Sequence, residues 1–315
     1  MKPDRPGGLD SLPTDDLDRA KAAVRDLPHR KAPMTPPRTI LITGCSSGMG
    51  RQAALALHRL GHRVYATARR PETLADLAAL GISTLPLDVT DEQSMADAVT
   101  AVEAEHGSVD ILINNAGFGL HLPVESATPA EVRAQFDTNV FGLIRMAQLV
   151  LPGMRRAGHG RIVNLSSMAG RFSPPGGAFY HASKHAVEAI SDSLRLEVAP
   201  FGIEVVVVQP GPTITEFSGT AVDTMAPATD AADPYAGFRA KLADMYANHA
   251  FTRRNGAVPA EAATKVIVRA ATTTKPRARY AVGALARATM LAKRLLPDAA
   301  FDALMRRNFP LPEAA

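Results

Sequence analysis

From Arg38 onward, short unbroken apolar runs alternate with longer stretches in which apolar residues return every three or four positions. Thr39-Ile40-Leu41-Ile42 has no polar break, the pattern of a strand buried on both faces. Further strands are predicted at 63–67, 83–87, 109–113, 161–165 and 204–208, with Pro86 weakening the third. Between them lie helical stretches. One covers 51–60 and stops at Gly61; another covers 72–80 and stops at Gly81. Thr90-Asp91-Glu92-Gln93 reads as a capping box, and Thr128-Pro129-Ala130-Glu131 as a stronger one with proline at the first helical position. The second opens a helix running to about Met154, and a later helix ends near Pro200. Regular alternation of strand and helix predicts an α/β fold: a doubly wound parallel sheet with helices on both faces, in a single domain.

The pattern loosens at both ends. Residues 1–37 contain seven prolines and are expected to form a flexible N-terminal extension, with one short helix at 15–27. The domain proper is expected at 38–283, including a mobile substrate loop at 212–233 rich in Thr, Ala, Gly and Pro. Helices are predicted at 234–250 and 259–273, a strand at 279–282, and a basic helical segment at 284–315 packed on the domain and broken at Pro297.

Composition narrows the class. No apolar run approaches membrane-spanning length and no signal peptide is visible, so a cytoplasmic protein is expected. Cys45 is the only cysteine, which rules out an intrachain disulfide and suits a reducing compartment. A net charge of +4 with no tryptophan and five tyrosines argues against nucleic-acid binding, which needs a basic stripe with aromatic platforms.

Two clusters carry chemistry. Between the first strand and first helix lies Thr43-Gly44-Cys45-Ser46-Ser47-Gly48-Met49-Gly50. Glycines at a strand–turn–helix junction let a dinucleotide's phosphates approach the backbone at a helix N-terminus. At the end of the second strand, where an acid would bind a ribose 2′-hydroxyl, the chain has Arg69-Arg70; an arginine suits a 2′-phosphate. The second cluster is Tyr180-His181-Ala182-Ser183-Lys184. Spacing of four on a helix places the phenol and the ammonium on one face, where the cation is expected to lower the phenol pKa for proton transfer. His181 and His185 share that spacing but lack the glutamate of a zinc-binding helix, so no metal is expected.

These motifs, with Asp88, Asn114-Asn115-Ala116-Gly117, Asn139, Ser167 and Pro210-Gly211, resemble the short-chain dehydrogenases/reductases over residues 39–215. In style the chain is most similar to their 17β-hydroxysteroid and retinol dehydrogenase branch. The resemblance implies a Rossmann-like fold and an oxidoreductase interconverting an alcohol and a ketone or aldehyde. It implies Tyr180 as acid/base, Lys184 as its partner and ribose ligand, Ser167 (rather than Ser166) holding the substrate oxygen, and Asn139 fixing a water in a proton relay. Gly44, Ser46, Ser47, Gly48, Met49 and Gly50 would cradle the cofactor, Arg69 its 2′-phosphate, and Asp88 and Val89 its adenine. Asn115, Ala116, Gly117, Pro210, Gly211, Thr213 and Thr215 would line the rest of the cofactor cleft. NADP(H) is the preferred cofactor, with NAD(H) as the alternative.

Phe118, Leu120, Leu122, Met168, Phe172 and Phe217 form an expected apolar pocket, suited to a lipophilic substrate such as a steroid or retinoid. The alternatives are a 3-oxoacyl thioester reductase and a non-catalytic NADP-sensing protein. The resemblance also implies a homodimer or homotetramer built through helices at 130–156 and 177–199. The basic C-terminal segment 284–315 is expected to fold over the substrate side of the sheet and help close an apolar pocket; peripheral membrane contact is its less favoured role, because amphipathic helices mostly cover their own core.

Overall fold

The computed structural model describes residues 36–215, 222, 224, 225, 233–250 and 252–313. The chain divides between Pro36 and Pro37 into two units, and the second is the one built up below. The expected extension, apart from its last two prolines, lies outside the described residues, as do Phe217 and most of the expected loop at 212–233.

Among the described residues nine strands form in chain order: β1 (Thr39–Ile42), β2 (Arg63–Ala68), β3 (Ser83–Pro86), β4 (Ile111–Asn114), β5 (Gly160–Leu165), β6 (Ile203–Pro210), β7 (Thr213–Ile214), β8 (Val258–Pro259) and β9 (Arg279–Val282). Seven make one sheet in the order β3-β2-β1-β4-β5-β6-β9, every neighbouring pair parallel. β7 and β8 form a separate short parallel pair. Ile40 of β1 faces Val64 of β2 on one side and Ile111 of β4 on the other. The strand order therefore reverses at β1, and the crevice beyond the carboxyl ends of β1 and β4 is where such sheets place ligands.

The helices are α1 (Gly48–Arg59), α2 (Ala75–Ala79), α3 (Glu92–His106), α4 (Pro129–Phe136), α5 (Gly142–Ala157), α6 (Ala178–Val198), α7 (Ala236–Asp244), α8 (Ala260–Thr272), α9 (Ala284–Leu295) and α10 (Asp298–Asn308). None among the described residues is long and apolar enough to cross a membrane. Side-chain alternation along the strands fills two separate layers. Ile40, Ile42, Ile113 and Val163 pack on Ala53, Leu57 and Ile267 of α1 and α8. Leu41, Leu112 and Ile162 pack on Val99, Val102, Met146 and Val150 of α3 and α5. With both faces covered, every residue of β1 and β4 is buried, which explains their unbroken apolar runs.

Local signals explain most boundaries. Thr128 accepts from the Glu131 backbone, and the Glu131 carboxylate accepts from the Thr128 backbone, as the capping box predicts. The earlier expected box shifts by one residue. Asp91 caps α3 by accepting from Ser94, while the Thr90 backbone and hydroxyl both turn back to Asp88 at 2.9 and 2.8 Å. The long predicted helix at 128–154 is interrupted by a wider turn, Asp137–Phe141, that separates α4 from α5 and presents buried Asn139.

The far edge of the sheet is fastened to α6 by charge. Arg279 of β9 donates from Nε to Glu188 at 2.8 Å and from Nη2 to Asp192 at 2.5 Å, and Gln209 of β6 donates to Glu188 at 2.9 Å. The Glu188 side chain is only 5% exposed, so it needs that cation. Arg279→Ala should destabilise the fold by about 2–3 kcal/mol, because a buried carboxylate loses its charged partner. Urea unfolding of the two proteins measures this, and a difference below about 0.5 kcal/mol would show that the pair contributes only as a surface bridge does.

Candidate active site

At the carboxyl end of β1 the backbone takes a left-handed step at Gly44 (φ +72°) and another at Gly48 (φ +59°). A side chain at Gly44 would press on the Ala116 backbone at 2.8 Å, and one at Gly50 on the Asn115 amide at 2.3 Å. Asn115 itself ties the turn down: its Nδ2 donates to the carbonyls of Thr43 (2.9 Å) and Gly44 (2.8 Å). The Thr43 hydroxyl accepts from the Asn115 and Ala116 backbones, both at 3.0 Å. Helix α1 starts beyond Ser47 with no side-chain cap and no acidic residue in its first turn, leaving backbone donors and the positive end of its dipole for an anion. Ser46 and Ser47 are exposed there. Arg69 and Arg70, at the end of β2, are exposed and have no ion-pair partner among the described residues. Asp88 and Val89 follow β3, and Val89 packs against Gly142 where a side chain would clash at 2.3 Å. This cradle of glycines, free helix-end donors and unpaired arginines fits a phosphorylated dinucleotide.

The second cluster sits across the crevice. Ser167 follows β5; its hydroxyl donates to the Pro210 carbonyl (3.3 Å) and accepts from the Ala169 backbone (3.1 Å). That hydroxyl also hydrogen-bonds the Tyr180 phenol on α6. Ser166, its neighbour, points its hydroxyl into the space beside Gly170, where a methyl would meet it at 2.7 Å. Lys184 donates from Nζ to the Leu165 carbonyl at 2.8 Å, 5.9 Å from the Tyr180 ring centre. Asn139 is held by the Phe118 backbone, accepting from its N–H (3.1 Å) and donating to its carbonyl (2.9 Å), and donates to Ser183 (3.1 Å). Gly117 lies between Asn139 and Lys184: a side chain there would be 2.9 Å from the Asn139 oxygen and 3.6 Å from Lys184 Nζ.

The electrostatics differ from the spacing argument in one respect. Burial pushes the Tyr180 phenol up to about 12, only partly offset by the bond with Ser167. The same burial draws Lys184 down to about 8, against the pull of the nearby Glu188 carboxylate. Helical spacing places the cation near the phenol ring, but loss of water around each group dominates its pKa.

Tyr180, Ser167 and Lys184 open onto a cavity of about 790 Å³ that also reaches Met49, Asn115, Gly117, Pro210, Gly211, Thr213 and Thr215. Gly44, Ser46, Ser47, Gly48, Gly50, Arg69, Asp88, Val89, Ala116 and Asn139 lie outside its lining. Met168 and Phe172 are walls as expected. Phe118, Leu120 and Leu122 are not: Leu120 and Leu122 are buried elsewhere, and His121 between them turns to the cavity. The far wall comes from Leu285, Thr289 and Ala292 of α9 and Leu304, Met305, Asn308 and Phe309 at α10, within the segment expected to close an apolar pocket, and from Met245 and Tyr246 after α7, which sequence reasoning did not assign to it. Phe172 stacks edge-on against Phe301 at 5.8 Å, which joins α10 to the catalytic side. His121 and His181 are both buried and held neutral, each drawn down to about 4. His185 directs Nδ1 to the His181 carbonyl at 2.8 Å.

Comparison with known proteins points the same way. Residues 38–226 match the family model of the short chain dehydrogenases. The chain is 34% identical over 270 residues to the uncharacterized oxidoreductase YbbO of Escherichia coli K12, covering 85% of this chain and 94% of that protein. It is 46% identical over 183 residues to 3-ketodihydrosphingosine reductase of Bacteroides thetaiotaomicron, covering 58% of this chain and 66% of that one. It is 41% identical over 193 residues to human retinol dehydrogenase 8, covering 58% and 61%. Among solved structures, a short-chain dehydrogenase from Streptomyces avermitilis superposes with a TM-score of 0.70 at 32% identity, covering 87% of this chain and 97% of that one. A short chain dehydrogenase from Burkholderia cenocepacia in complex with NADP gives 0.68 at 25% identity, covering 86% and 98%.

The buried lysine has a consequence for stability. Its folded pKa lies below the unfolded value of about 10.4, so between those values the unfolded chain binds the extra proton and stability rises with pH. Lys184→Met should remove that rise. Between pH 7.5 and 9.5 the wild-type protein should gain on the order of 2 kcal/mol relative to the variant, read from urea midpoints at each pH. Parallel pH curves would refute a buried, weakened ammonium.

Proposed function

The chain belongs to the short-chain dehydrogenase family, and on that premise we propose that it interconverts a lipophilic alcohol and its ketone or aldehyde with NADP(H), through Tyr180 and Lys184. One observation carries this reading: Ser167, Tyr180 and Lys184 together line a largely apolar cavity that also reaches Met49 of the glycine turn and Asn115 and Gly117 beside it. When bound, the nicotinamide cofactor supplies or accepts the hydride.

The chain's own residues handle the proton. With its pKa held near 12, Tyr180 keeps its phenolic hydrogen at neutral pH and is set to donate it to a carbonyl oxygen, the reductive direction. Ser167 offers a second hydrogen bond to the same oxygen, orienting it against the phenol. Lys184 favours the phenolate left behind, and Asn139, fixed by the Phe118 backbone, supports the route by which the proton is replaced. Exposed Arg69 supports an NADP(H) preference, because its guanidinium suits a 2′-phosphate and no acid stands at the end of β2 to bind a bare ribose hydroxyl. A lipophilic substrate is supported by the Met168, Phe172, Leu304, Met305 and Phe309 walls and by relatives named for a ketosphingoid and for retinol. Self-association as a homodimer or homotetramer is supported by Phe141 and Leu196, 58% and 73% exposed on the expected helices.

The decisive assay is NADPH oxidation over a panel of long-chain ketones, steroids, retinoids and acyl thioesters. Tyr180→Phe should keep the fold and cofactor binding yet lose nearly all turnover. Retention of more than about a tenth of the wild-type kcat, a barrier change under ~1.4 kcal/mol, would remove Tyr180 from the proton step.

Arg69→Asp should weaken NADPH binding about tenfold or more and leave NADH nearly untouched, since it removes a charge-assisted contact to the extra phosphate. Titration of both cofactors against both proteins checks this. Equal wild-type affinity for NADH and NADPH would overturn the preference.

A further inference from the structure

His121 stands beside the proton donor without being used by the chemistry above. It is 2% exposed, and its ring centre lies 5.5 Å from that of Tyr180 and 4.6 Å from that of Tyr246. Its flanking residues, Leu120 and Leu122, are buried and outside the cavity's lining, whereas His121 lines it. The ring is held in one orientation. Its Nδ1 lies 3.2 Å from the Gly119 carbonyl, its backbone N–H donates to the Thr224 hydroxyl at 3.2 Å, and that hydroxyl donates to the same carbonyl at 3.1 Å.

A carbonyl only accepts, so Nδ1 carries the ring hydrogen and Nε2 is left as an acceptor. Among the described residues Nε2 has no hydrogen-bond partner, and His121 is among the residues that line the cavity. Burial, aided by neighbouring His181, keeps the ring neutral down to about pH 4, so the acceptor persists at physiological pH. A buried acceptor on a residue lining a largely apolar pocket, next to the group that protonates the substrate, is left unpaired by a plain hydrocarbon chain.

Resting on the oxidoreductase reading, we propose that His121 is a specificity residue whose Nε2 accepts a hydrogen bond from a hydroxyl or amino group borne one or two carbons from the reacting carbon. The substrate class is then a long-chain ketone, or the matching alcohol, with a neighbouring hydrogen-bond donor. The short distance between the Tyr180 and His121 rings confines the donor to that neighbourhood. A substrate lacking it pays the desolvation of Nε2 without recovering a bond, the situation in which polar sites discriminate most strongly.

The test uses the full chain with NADPH and three ketones of equal chain length: a plain ketone, its α-hydroxy counterpart and its α-amino counterpart. Wild type should favour at least one donor-bearing ketone by about tenfold in kcat/KM. Comparison of the hydroxy and amino arms identifies which donor the site takes. His121→Leu should collapse that ratio to about threefold or less, through KM more than kcat. His121→Phe, which keeps a flat ring against Tyr180 and Tyr246 but has no acceptor, should do the same and serves if the leucine variant fails to fold. Turnover of all three ketones by wild type without preference, or an unchanged ratio in a folded variant, overturns the role of His121 and leaves the oxidoreductase reading standing. Failure of wild type to reduce any ketone, steroid or retinoid overturns both.

Discussion

Asn115 ties the end of β4 to the turn that follows β1, and the site depends on that tie. Its amide spans the carbonyls of Thr43 and Gly44, while the Thr43 hydroxyl collects the backbone donors of Asn115 and Ala116. These bonds close the one place in the sheet where neighbouring strands send their chains away in opposite directions. Without them the crevice at the strand ends would leave buried backbone groups unpaired, which costs more than any single contact in the site returns. The glycines follow from this constraint. Gly44 and Gly50 lack side chains because Asn115 and Ala116 occupy the space a Cβ would need.

Burial then sets the chemistry. The crevice floor is a sheet covered on both faces, so the groups at its end lose water. The phenol and the ammonium on α6 both move toward their neutral forms. A phenol that holds its proton beside a lysine drawn toward its neutral form suits the donation to a carbonyl proposed above. Glu188, one turn further along α6, counters part of the lysine's loss and is itself neutralised by Arg279 from the edge strand. The Tyr180–Lys184 pair is thereby linked to the last strand of the sheet, well over a hundred positions from the glycine turn.

The cavity is shaped by parts of the chain that carry no motif. α9 and α10 lay Leu285, Ala292, Leu304 and Met305 over the substrate side, and the wider turn after α7 brings Tyr246 over His121. Their basic residues face outward, and Lys293 rests over the Phe301 ring at 5.0 Å while pairing with Asp298. Packing of apolar side chains, with charge left at the rim, is how a short amphipathic segment closes a pocket.

The parallel sheet was legible in the sequence because burial on both faces leaves a direct mark, the unbroken apolar runs at 39–42 and 111–113, and because glycine and capping signals act locally. The Tyr180–Lys184 pair was legible because helical spacing alone puts two side chains on one face. What the tertiary structure decided depends on residues distant in sequence. Loss of water around Tyr180 and Lys184 comes from walls supplied by β5, β6 and the segment after α7, so spacing pointed to a lowered phenol pKa where burial raises it. The one-residue shift of the α3 cap arose because Asp88 competes for Thr90. His121 gave no signal of its own in a segment read as apolar, since only the folded chain brings its ring to 5.5 Å from that of Tyr180. Local patterns are set by short-range sterics and periodicity, whereas pKa and pocket lining are set by whichever remote surfaces exclude water, and only the folded chain brings those together.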